Sequence, residues 1–243
     1  MKKRLDQLLT DKKLFASRTK SADAIKNGAV CVDGQEVLKP AELVEEDAEI
    51  KVVKDTCPFV SRGGLKLKGA IEKFKLNFAG KVVLDLGAST GGFTDCALKN
   101  GAKKVFAIDV GTNQLAPVLK QDGRVVSMEN TDIRNLDKRV IEQSDIIVAD
   151  LSFVSLAKVL GKIINDATSQ PFVLLIKPQF ECGYKIAKKN KGVIKDLALA
   201  EQIAKATVTQ LENMGLKLVN FALSPILGGD GNSEFISMFV KNN

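Results

Sequence analysis

Charged side chains follow several short apolar runs of this sequence, at positions where strands of a sheet are expected to end. Asp85, Asp109 and Asp150 stand at three of these ends, and Lys177 follows the run Phe172–Ile176. In open parallel sheets, ligands bind beyond the carboxyl ends of the strands. Carboxylates there can accept hydrogen bonds from a ligand, and a lysine can act as a base. The pattern therefore predicts a ligand site with proton-transfer chemistry at one edge of a sheet.

Asp150 and Lys177 each directly follow an apolar strand. They are expected to lie close together, because the ends of adjacent strands meet at one edge of the sheet. Desolvation disfavours the charged form of a lysine, whereas a neighbouring carboxylate favours it. The pair by itself fits either a catalytic site or a structural ion pair. The sequence contains no histidine, so acid–base chemistry must use Lys, Asp, Glu, Tyr or Cys.

The turn from Gly87 to Gly92 follows the first of these strands and precedes a helix. Such a turn lets backbone amides approach a ligand, although many glycine turns are only tight connections. The dinucleotide fingerprint needs glycine where Ser89 stands, and a phosphate-binding loop needs Lys and Ser or Thr where Phe93 and Thr94 stand. The turn and the strand-end acids instead suit S-adenosylmethionine, which has no pyrophosphate. The predicted cofactor-binding residues are Asp85, Gly87, Ser89, Gly91, Gly92, Asp109 and Asp132.

The elements that must position these residues alternate between strands and helices. Alternation of this kind predicts an α/β fold with a doubly wound, mostly parallel seven-stranded sheet. The last strand is expected to pair antiparallel at the edge. The predicted strands lie near residues 82–87, 104–110, 125–128, 145–151, 171–177, 216–224 and 234–240.

The composition limits the class of protein. The chain of 243 residues carries 36 Lys and Arg against 29 Asp and Glu, for a net charge of +7. This charge indicates a polyanionic partner or simply a basic cytosolic protein. Its four cysteines form no C-x-x-C pair, and with no histidine we predict no metal site. The sequence shows neither a signal peptide nor a membrane span, which predicts a cytoplasmic location.

The first segment of the chain is basic and resembles a known RNA-binding domain. Residues 1–30 hold eight basic and three acidic side chains, a balance that suits phosphate contacts or an ordinary solvated helix pair. The segment resembles the small RNA-binding domain typified by ribosomal protein S-four, which implies structured-RNA binding through a two-helix face. The motifs that carry this resemblance are Arg4-Leu-Asp, Ser17-Arg18, Ala24 to Gly34 and Lys39-Pro40.

A connector with a proline and a glycine pair follows, Cys57 to Gly64. We therefore predict a small α+β RNA-binding domain at 1–57, a linker at 58–64 and a Rossmann-like domain at 65–243, which contains the predicted S-adenosylmethionine site.

Four further blocks resemble one enzyme family over the whole chain. They are Ser61-Arg62-Gly63-Gly64-Leu65-Lys66, Asp150-Leu151-Ser152-Phe153, Lys177-Pro178-Gln179-Phe180 and Ser233-Glu234-Phe235. Together with the leading module they closely resemble the TlyA family of ribosomal RNA methyltransferases, which use the FtsJ-type fold. The resemblance implies transfer of a methyl group from S-adenosylmethionine to a cytidine ribose 2′-hydroxyl of ribosomal RNA.

It also implies a catalytic tetrad of Lys66, Asp150, Lys177 and Glu234. In that scheme Lys177 takes the hydroxyl proton, while Lys66, Asp150 and Glu234 orient it and tune its charge. The short ends of the chain favour the large ribosomal subunit as substrate, by analogy within the family. Two alternatives stay open: a membrane-active haemolysin, a label often given to relatives, and a non-catalytic RNA-binding factor of ribosome assembly.

A lysine-rich segment at 183–195 lies between Lys177 and the next helix. Gly183 and Gly192 predict a mobile loop that either clamps RNA phosphates or is only a surface loop. Tyr184, the only tyrosine, is a candidate for stacking on a flipped base. The predicted RNA-binding residues are Arg4, Arg18, Lys20, Lys26, Arg62, Lys188 and Lys189.

Overall fold

The computed structural model of the protein describes residues 2–26, 28–52 and 57–242. The chain forms two compact units, Met1–Pro58 and Phe59–Asn243. Residues 59–64, predicted as the last part of a linker, belong to the second unit. Phe59 and Val60 pack against its core, and the Val60 N–H donates to Asp95 Oδ2 at 2.9 Å. The segment is therefore anchored to the second unit by apolar contact and by a hydrogen bond.

The first unit packs two helices against short strands. Leu5, Leu8 and Leu9 recur at helical spacing and are buried together with Ile25 and Val30. One two-stranded and one three-stranded sheet accompany the helices. In chain order the elements are β1 (Lys2–Arg4), α1 (Leu5–Asp11), α2 (Arg18–Lys26), β2 (Val30–Val32), β3 (Gln35–Glu36), β4 (Leu43–Glu45) and β5 (Ile50–Val52).

The second unit alternates strands and helices around one large sheet. Its helices are α3 (Gly63–Phe74), α4 (Gly92–Lys99), α5 (Pro117–Lys120), α6 (Lys138–Glu142), α7 (Leu156–Val159), α8 (Gly161–Asp166), α9 (Pro178–Glu181), α10 (Gly183–Lys189) and α11 (Leu197–Asn213), with a 3-10 turn at Ile133–Asn135. Its strands are β6 (Val82–Leu86), β7 (Lys104–Ile108), β8 (Val125–Met128), β9 (Ile146–Ala149), β10 (Phe172–Ile176), β11 (Leu216–Leu223) and β12 (Phe235–Lys241).

The sheet has seven strands in the order β11-β12-β10-β9-β6-β7-β8. Strands β6 to β10 are parallel to one another, and β12 is antiparallel to both β10 and β11. This confirms the predicted α/β class with a mostly parallel, seven-stranded sheet.

The last strand is antiparallel as predicted, but it does not lie at the edge. Strand β12 pairs on both sides, and its Phe235, Ile236 and Phe239 are buried. The edge position falls to β11, in which Val219 and Leu223 remain exposed. A strand with apolar side chains on both faces gains most from an inner position, whereas one with partly exposed faces tolerates the edge.

Alternating side chains of each central strand enter opposite faces of the sheet. Leu84 and Leu86 of β6 join the core on one face, and Val83 joins the core on the other. Because both faces are covered, β10 is buried along its whole length. The carboxyl ends of the parallel strands meet at one edge, where the charged residues that follow them are brought together.

Within residues 2–26, 28–52 and 57–242, no helix combines the length and apolar character that a membrane crossing requires. In the same part of the chain, no group of three or more His, Cys, Asp and Glu side chains has the arrangement of a metal site.

Candidate active site

The side chain of Asp85 in β6 links this strand to helix α4, which follows the turn after β6. This carboxylate lies within the strand, is fully buried, and accepts a 2.6 Å hydrogen bond from Thr94 Oγ1 of α4. Burial, together with the nearby charge of Asp150, raises the pKa of Asp85 to about 7. Asp85, predicted to bind cofactor, is thus placed to hold the turn and the start of α4 together.

Gly87 shapes the turn itself. Its φ of +79° is in the left-handed region, and a Cβ there would lie 2.7 Å from Leu151 Cδ2 and 3.2 Å from the Asp150 carbonyl oxygen. Only glycine fits without strain under both constraints. The turn therefore packs directly on the backbone that follows β9, which brings the ends of β6 and β9 into contact.

A cleft of 440 Å³ opens beside this turn. Four of the predicted cofactor residues line it: Gly87, Ser89, Asp109 and Asp132. The Asp109 carboxylate accepts the Ser89 N–H at 2.8 Å through Oδ2 and the Gly111 N–H at 2.7 Å through Oδ1. A carboxylate has about four acceptor positions, so Asp109 can fix the cleft wall and still accept hydrogen bonds from a ligand.

Asp132 lines the same cleft but is held by a partner. Both of its oxygens contact the Arg134 guanidinium, and Oδ1 also accepts the Arg134 N–H at 2.9 Å. These bonds lower the pKa of Asp132 to about 2. The side chain therefore stays ionised, and Arg134 beside it becomes part of the cleft wall.

Glu129 shapes the cleft without lining it, and the sequence analysis missed this residue. Its carboxylate accepts the N–H groups of Asn113, Gln114 and Leu115 at 3.0, 2.7 and 2.9 Å. Bonds to these amides and to Lys120 lower the pKa of Glu129 to about 2. Glu129 thereby holds the loop that brings Gln114 to the cleft.

A smaller cavity of 160 Å³ adjoins the cleft and contains three of the four proposed catalytic side chains, Lys66, Asp150 and Lys177. Lys177 Nζ lies 2.6 Å from Asp150 Oδ1 and donates a 2.8 Å hydrogen bond to Ser152 Oγ. Both lysines are at least nine-tenths buried. The strand ends thus bring together Asp150 and Lys177, as the sequence analysis expected.

The fourth side chain, Glu234, holds Lys66. Lys66 Nζ lies 2.6 Å from Glu234 Oε2, and both side chains are buried. A Cβ on Gly228 would lie 2.5 Å from Glu234 Oε1, so the loop before β12 packs closely on this carboxylate. Helix α3 places Lys66 on its buried side with Leu67 and Ala70, which directs the lysine inward and not to solvent.

The two cavities share a wall formed by Gly87, Ser89, Asp150 and Ser152. A ligand in the larger cleft and a group in the smaller cavity would therefore meet across this wall, next to two buried lysines. Gly92 lines the smaller cavity, whereas Gly91 precedes α4 with φ +97°. In the described part of the chain, neither Gly91 nor Asp85 lines either cavity.

Phe153 stands at the mouth of the larger cleft and was not identified from the sequence as a site residue. It is 90% exposed and has φ +64°, a conformation that is strained for a bulky side chain. Its ring centroid lies 5.0 Å from that of Phe180. An exposed aromatic ring in a strained conformation beside a cavity is a candidate surface for stacking.

The lysine-rich segment forms a helix where a loop was predicted. Its first part is α10, Gly183–Lys189, which has no buried residue. Gly183 begins this helix, and Asn190 caps its C-terminal end two residues before Gly192. Lys188 and Lys189 are exposed, and Lys188 Nζ lies 5.7 Å from the centre of the exposed Tyr184 ring.

Asn232 fastens the end of this segment to the loop before β12. Its side chain accepts the Ile194 N–H at 2.9 Å and donates to the Gly192 carbonyl at 3.1 Å. Arg62, another predicted RNA-binding residue, donates to the Leu227 carbonyl at 3.1 Å. The loop that carries Glu234 is thus connected both to the basic segment and to the start of α3.

In the first unit, the buried Asp6 holds two predicted RNA-binding arginines. Arg4 donates to its two oxygens at 3.1 and 2.8 Å, and Arg18 donates at 3.2 Å. These bonds lower the pKa of Asp6 to about 2. Lys20 is exposed on α2, and Lys26 ends α2 but its side chain lies outside the described part.

Comparisons with known proteins agree with this geometry. Residues 59–241 match the family described as FtsJ-like methyltransferase, and residues 3–50 match the S4 domain. "Hemolysin A" of Brachyspira hyodysenteriae is 40% identical over 240 residues, which span 98% of this chain and 99% of that protein.

Two further matches cover most of the chain. The "16S/23S rRNA (cytidine-2'-O)-methyltransferase TlyA" of Mycobacterium tuberculosis (strain ATCC 25618 / H37Rv) is 41% identical over 235 residues, 96% of this chain and 87% of that protein. A solved structure of a Streptococcus thermophilus protein described as a hemolysin has 35% identity and a TM-score of 0.77, covering 100% of this chain and 89% of that one.

Proposed function

This chain belongs to the FtsJ-like methyltransferase family, and we propose that it methylates the 2′-hydroxyl of a cytidine ribose in ribosomal RNA. The methyl donor is S-adenosylmethionine. The observation that carries the proposal is the wall of Gly87, Ser89, Asp150 and Ser152 shared by the two cavities. These residues border both a cleft large enough for a nucleoside and a cavity with two buried lysines. Transfer of a group between two substrates requires such adjacent sites.

The larger cleft fits S-adenosylmethionine. Its volume of 440 Å³ is within the usual range for a cofactor site. Asp109 accepts hydrogen bonds from the ribose diol, and Val110 supplies apolar surface for the adenine ring. The absence of a side chain at Gly87 leaves room for close approach to the backbone. When bound, S-adenosylmethionine supplies a methyl group activated by a positive sulfonium.

In the smaller cavity, Lys177 Nζ accepts the proton of the ribose 2′-hydroxyl. The freed oxygen forms its bond to the methyl carbon as the carbon–sulfur bond breaks, and the electron pair of that bond stays on sulfur. Asp150, 2.6 Å from Nζ, stabilises the lysine after it has taken the proton. Gly87, Ser89, Asp150 and Ser152, which line both cavities, would keep the bound methyl donor and the ribose next to each other.

Lys66 acts as a fixed positive charge beside the developing alkoxide. Glu234 holds its ammonium at 2.6 Å inside the protein, so little reorganisation is needed when negative charge develops on the oxygen. Phe153, exposed at the mouth of the cleft, offers its ring to the base of the target nucleotide.

Ribosomal RNA is the substrate that the rest of the chain favours. A relative named as a 16S/23S rRNA (cytidine-2'-O)-methyltransferase aligns over 96% of the chain, and residues 3–50 match an S4 domain. Arg4, Arg18, Lys20 and the lysines of α10 supply phosphate contacts. The protein then acts on ribosomal subunits in the cytoplasm.

The test uses purified protein, labelled S-adenosylmethionine and separate large and small subunits lacking the modification. We expect methyl transfer to a cytidine ribose, and loss of transfer in Lys177→Ala. Lys103→Ala, an exposed lysine at the amino end of β7, is the matched control and retains activity. Absence of transfer to either subunit, or full activity of Lys177→Ala, would refute the proposal. Lysis of erythrocytes by both wild type and Lys177→Ala would instead support the hemolysin name carried by relatives.

A further inference from the structure

Ser152 contacts the proposed base directly. Lys177 Nζ donates a 2.8 Å hydrogen bond to Ser152 Oγ, while Asp150 Oδ1 meets the same nitrogen at 2.6 Å as an ion-pair partner outside hydrogen-bond geometry. Asp150 thus supplies charge, and Ser152 supplies the directed bond. Ser152 also lines both cavities, so it stands where methyl donor and ribose meet.

The geometry of an amine gives this directed bond a consequence. A neutral lysine nitrogen has two N–H bonds and one lone pair, and it rotates freely about the Cε–Nζ bond unless it is held. The bond to Ser152 fixes that rotation. One N–H points to Ser152 Oγ, and the negative charge of Asp150 repels the lone pair. The lone pair is therefore left to face the smaller cavity, which Lys177 itself lines.

The loop that carries Ser152 is held at both ends. Asp150 is tied to Lys177, and the N–H of Leu156 donates to Glu181 Oε1 at 2.9 Å. Glu181 ends α9, which begins directly after Lys177. Loop and base are therefore attached to the same short helix, which restricts their movement relative to each other.

We propose that Ser152 is a positioning residue for methyl transfer, which aims the lone pair of Lys177 at the ribose 2′-hydroxyl. This inference rests on the proposed function and adds a residue outside the four of the tetrad. Ser152 is distinct from Asp150 in its effect: it sets the direction of the base and leaves its charge balance to the carboxylate. Loss of the hydroxyl therefore lowers the rate of the chemical step without weakening substrate binding.

The experiment compares wild type, Ser152→Ala, Ser152→Thr and the control Ser169→Ala, an exposed serine of the loop before β10. Single-turnover methyl transfer to ribosomal subunits gives the rate, its dependence on subunit concentration gives the apparent affinity, and calorimetry gives the affinity for S-adenosylmethionine. For Ser152→Ala we expect the rate to fall about 10- to 100-fold, the effect of a misdirected base. Both affinities are expected to stay within about twofold of wild type.

Ser152→Thr keeps the hydroxyl and is expected to restore most of the rate, and Ser169→Ala is expected to match wild type. A wild-type rate in Ser152→Ala would overturn the inference. So would a loss confined to substrate or cofactor affinity, or a threonine variant as slow as the alanine variant. An inactive wild-type protein would overturn the proposed function itself, which distinguishes the two failures.

Discussion

Thr94 Oγ1 lies 2.6 Å from Asp85 Oδ2 and donates a hydrogen bond that links the first turn of α4 to the middle of the sheet. The carboxylate is fully buried, and its second oxygen, Oδ1, accepts no hydrogen bond from the residues that the structure describes. Burial raises the pKa of Asp85 from an ordinary 3.8 to about 7. The turn from Gly87 to Gly92 is therefore adjacent to a buried acid that titrates near neutral pH.

The first prediction is that Asp85→Asn changes how stability depends on pH. Between about pH 4 and pH 7, Asp85 is ionised in the unfolded chain and neutral in the folded one. Folding then takes up a proton, so this residue lowers the free energy of unfolding as pH rises through that window. We expect Asp85→Asn to gain stability relative to wild type from pH 5 to pH 8.

Urea unfolding followed by circular dichroism at four pH values measures this difference. Thr94→Val serves as the companion variant, because it removes the donor while keeping the acid. If the difference in unfolding free energy between wild type and Asp85→Asn were the same at all four pH values, the raised pKa would be contradicted.

The second prediction concerns Asp109, which fixes the cleft wall through two backbone amides. Asp109→Ala leaves the N–H groups of Ser89 and Gly111 without this acceptor and removes the ribose contact. Lost charge-assisted bonds of this kind cost roughly 1.5–3 kcal/mol, so we expect S-adenosylmethionine to bind at least about 10-fold more weakly. The affinity of Asp109→Asn for S-adenosylmethionine should lie between those of wild type and Asp109→Ala, since one amide oxygen replaces two carboxylate oxygens.

Calorimetric titration with S-adenosylmethionine measures both variants. Asp122→Ala is the control, because Asp122 precedes β8 at the opposite end of the strands and pairs with Arg124. Equal affinity in Asp109→Ala and Asp122→Ala would show that Asp109 does not hold the cofactor.

The third prediction separates the catalytic and structural roles of the Lys66–Glu234 pair. Both side chains are buried, and removing one partner of a buried pair typically costs about 3–5 kcal/mol because the other charge is left without compensation. We expect Lys66→Met and Glu234→Met each to be strongly destabilised. The double variant should recover most of that loss, since two apolar side chains can pack together.

Methyl transfer should stay lost in the double variant, because the positive charge beside the ribose oxygen is gone. A double-mutant cycle of unfolding free energies, measured beside the transfer assay, tests both statements. Additive destabilisation would contradict the ion pair, and an active double variant would contradict the catalytic role.

Parts of this architecture could be predicted from sequence because they depend on local pattern. Phe172–Ile176 is a continuous apolar run, and a strand with helices on both faces is buried throughout, as β10 is. Lys177 directly follows that run and Asp150 follows another, so their proximity came from parallel strands ending at one edge.

Other parts depend on long-range pairing that no local pattern encodes. Lys66 and Glu234 lie far apart in the chain, and only family resemblance connected them. Strand β12 was expected at the edge, but it pairs with both β10 and β11 and so lies inside the sheet. Asp85 was interpreted as a ligand residue because it closes an apolar run, yet it lies inside β6, where both faces of the sheet are covered and the side chain is buried.

The fourth prediction concerns the two lysines at the end of α10. Lys188 and Lys189 are exposed in a helix that has no fully buried residue, so the exposed side of the helix fits either a phosphate-binding surface or an ordinary solvated one. Each lysine that neutralises a phosphate releases counterions. Each such contact adds about 0.7–0.9 to the slope with which the logarithm of the binding constant falls as the logarithm of the salt concentration rises. We expect Lys188→Gln with Lys189→Gln to reduce that slope by nearly two.

Binding to isolated ribosomal subunits over a series of KCl concentrations measures the slope. Lys81→Gln with Lys103→Gln is the matched control, because it removes the same charge at the amino ends of β6 and β7, opposite the candidate active site. A slope that falls only in the α10 variant assigns the phosphate contacts to this helix. Equal slopes in the two variants would mean that net charge alone matters and that α10 is an ordinary solvated surface.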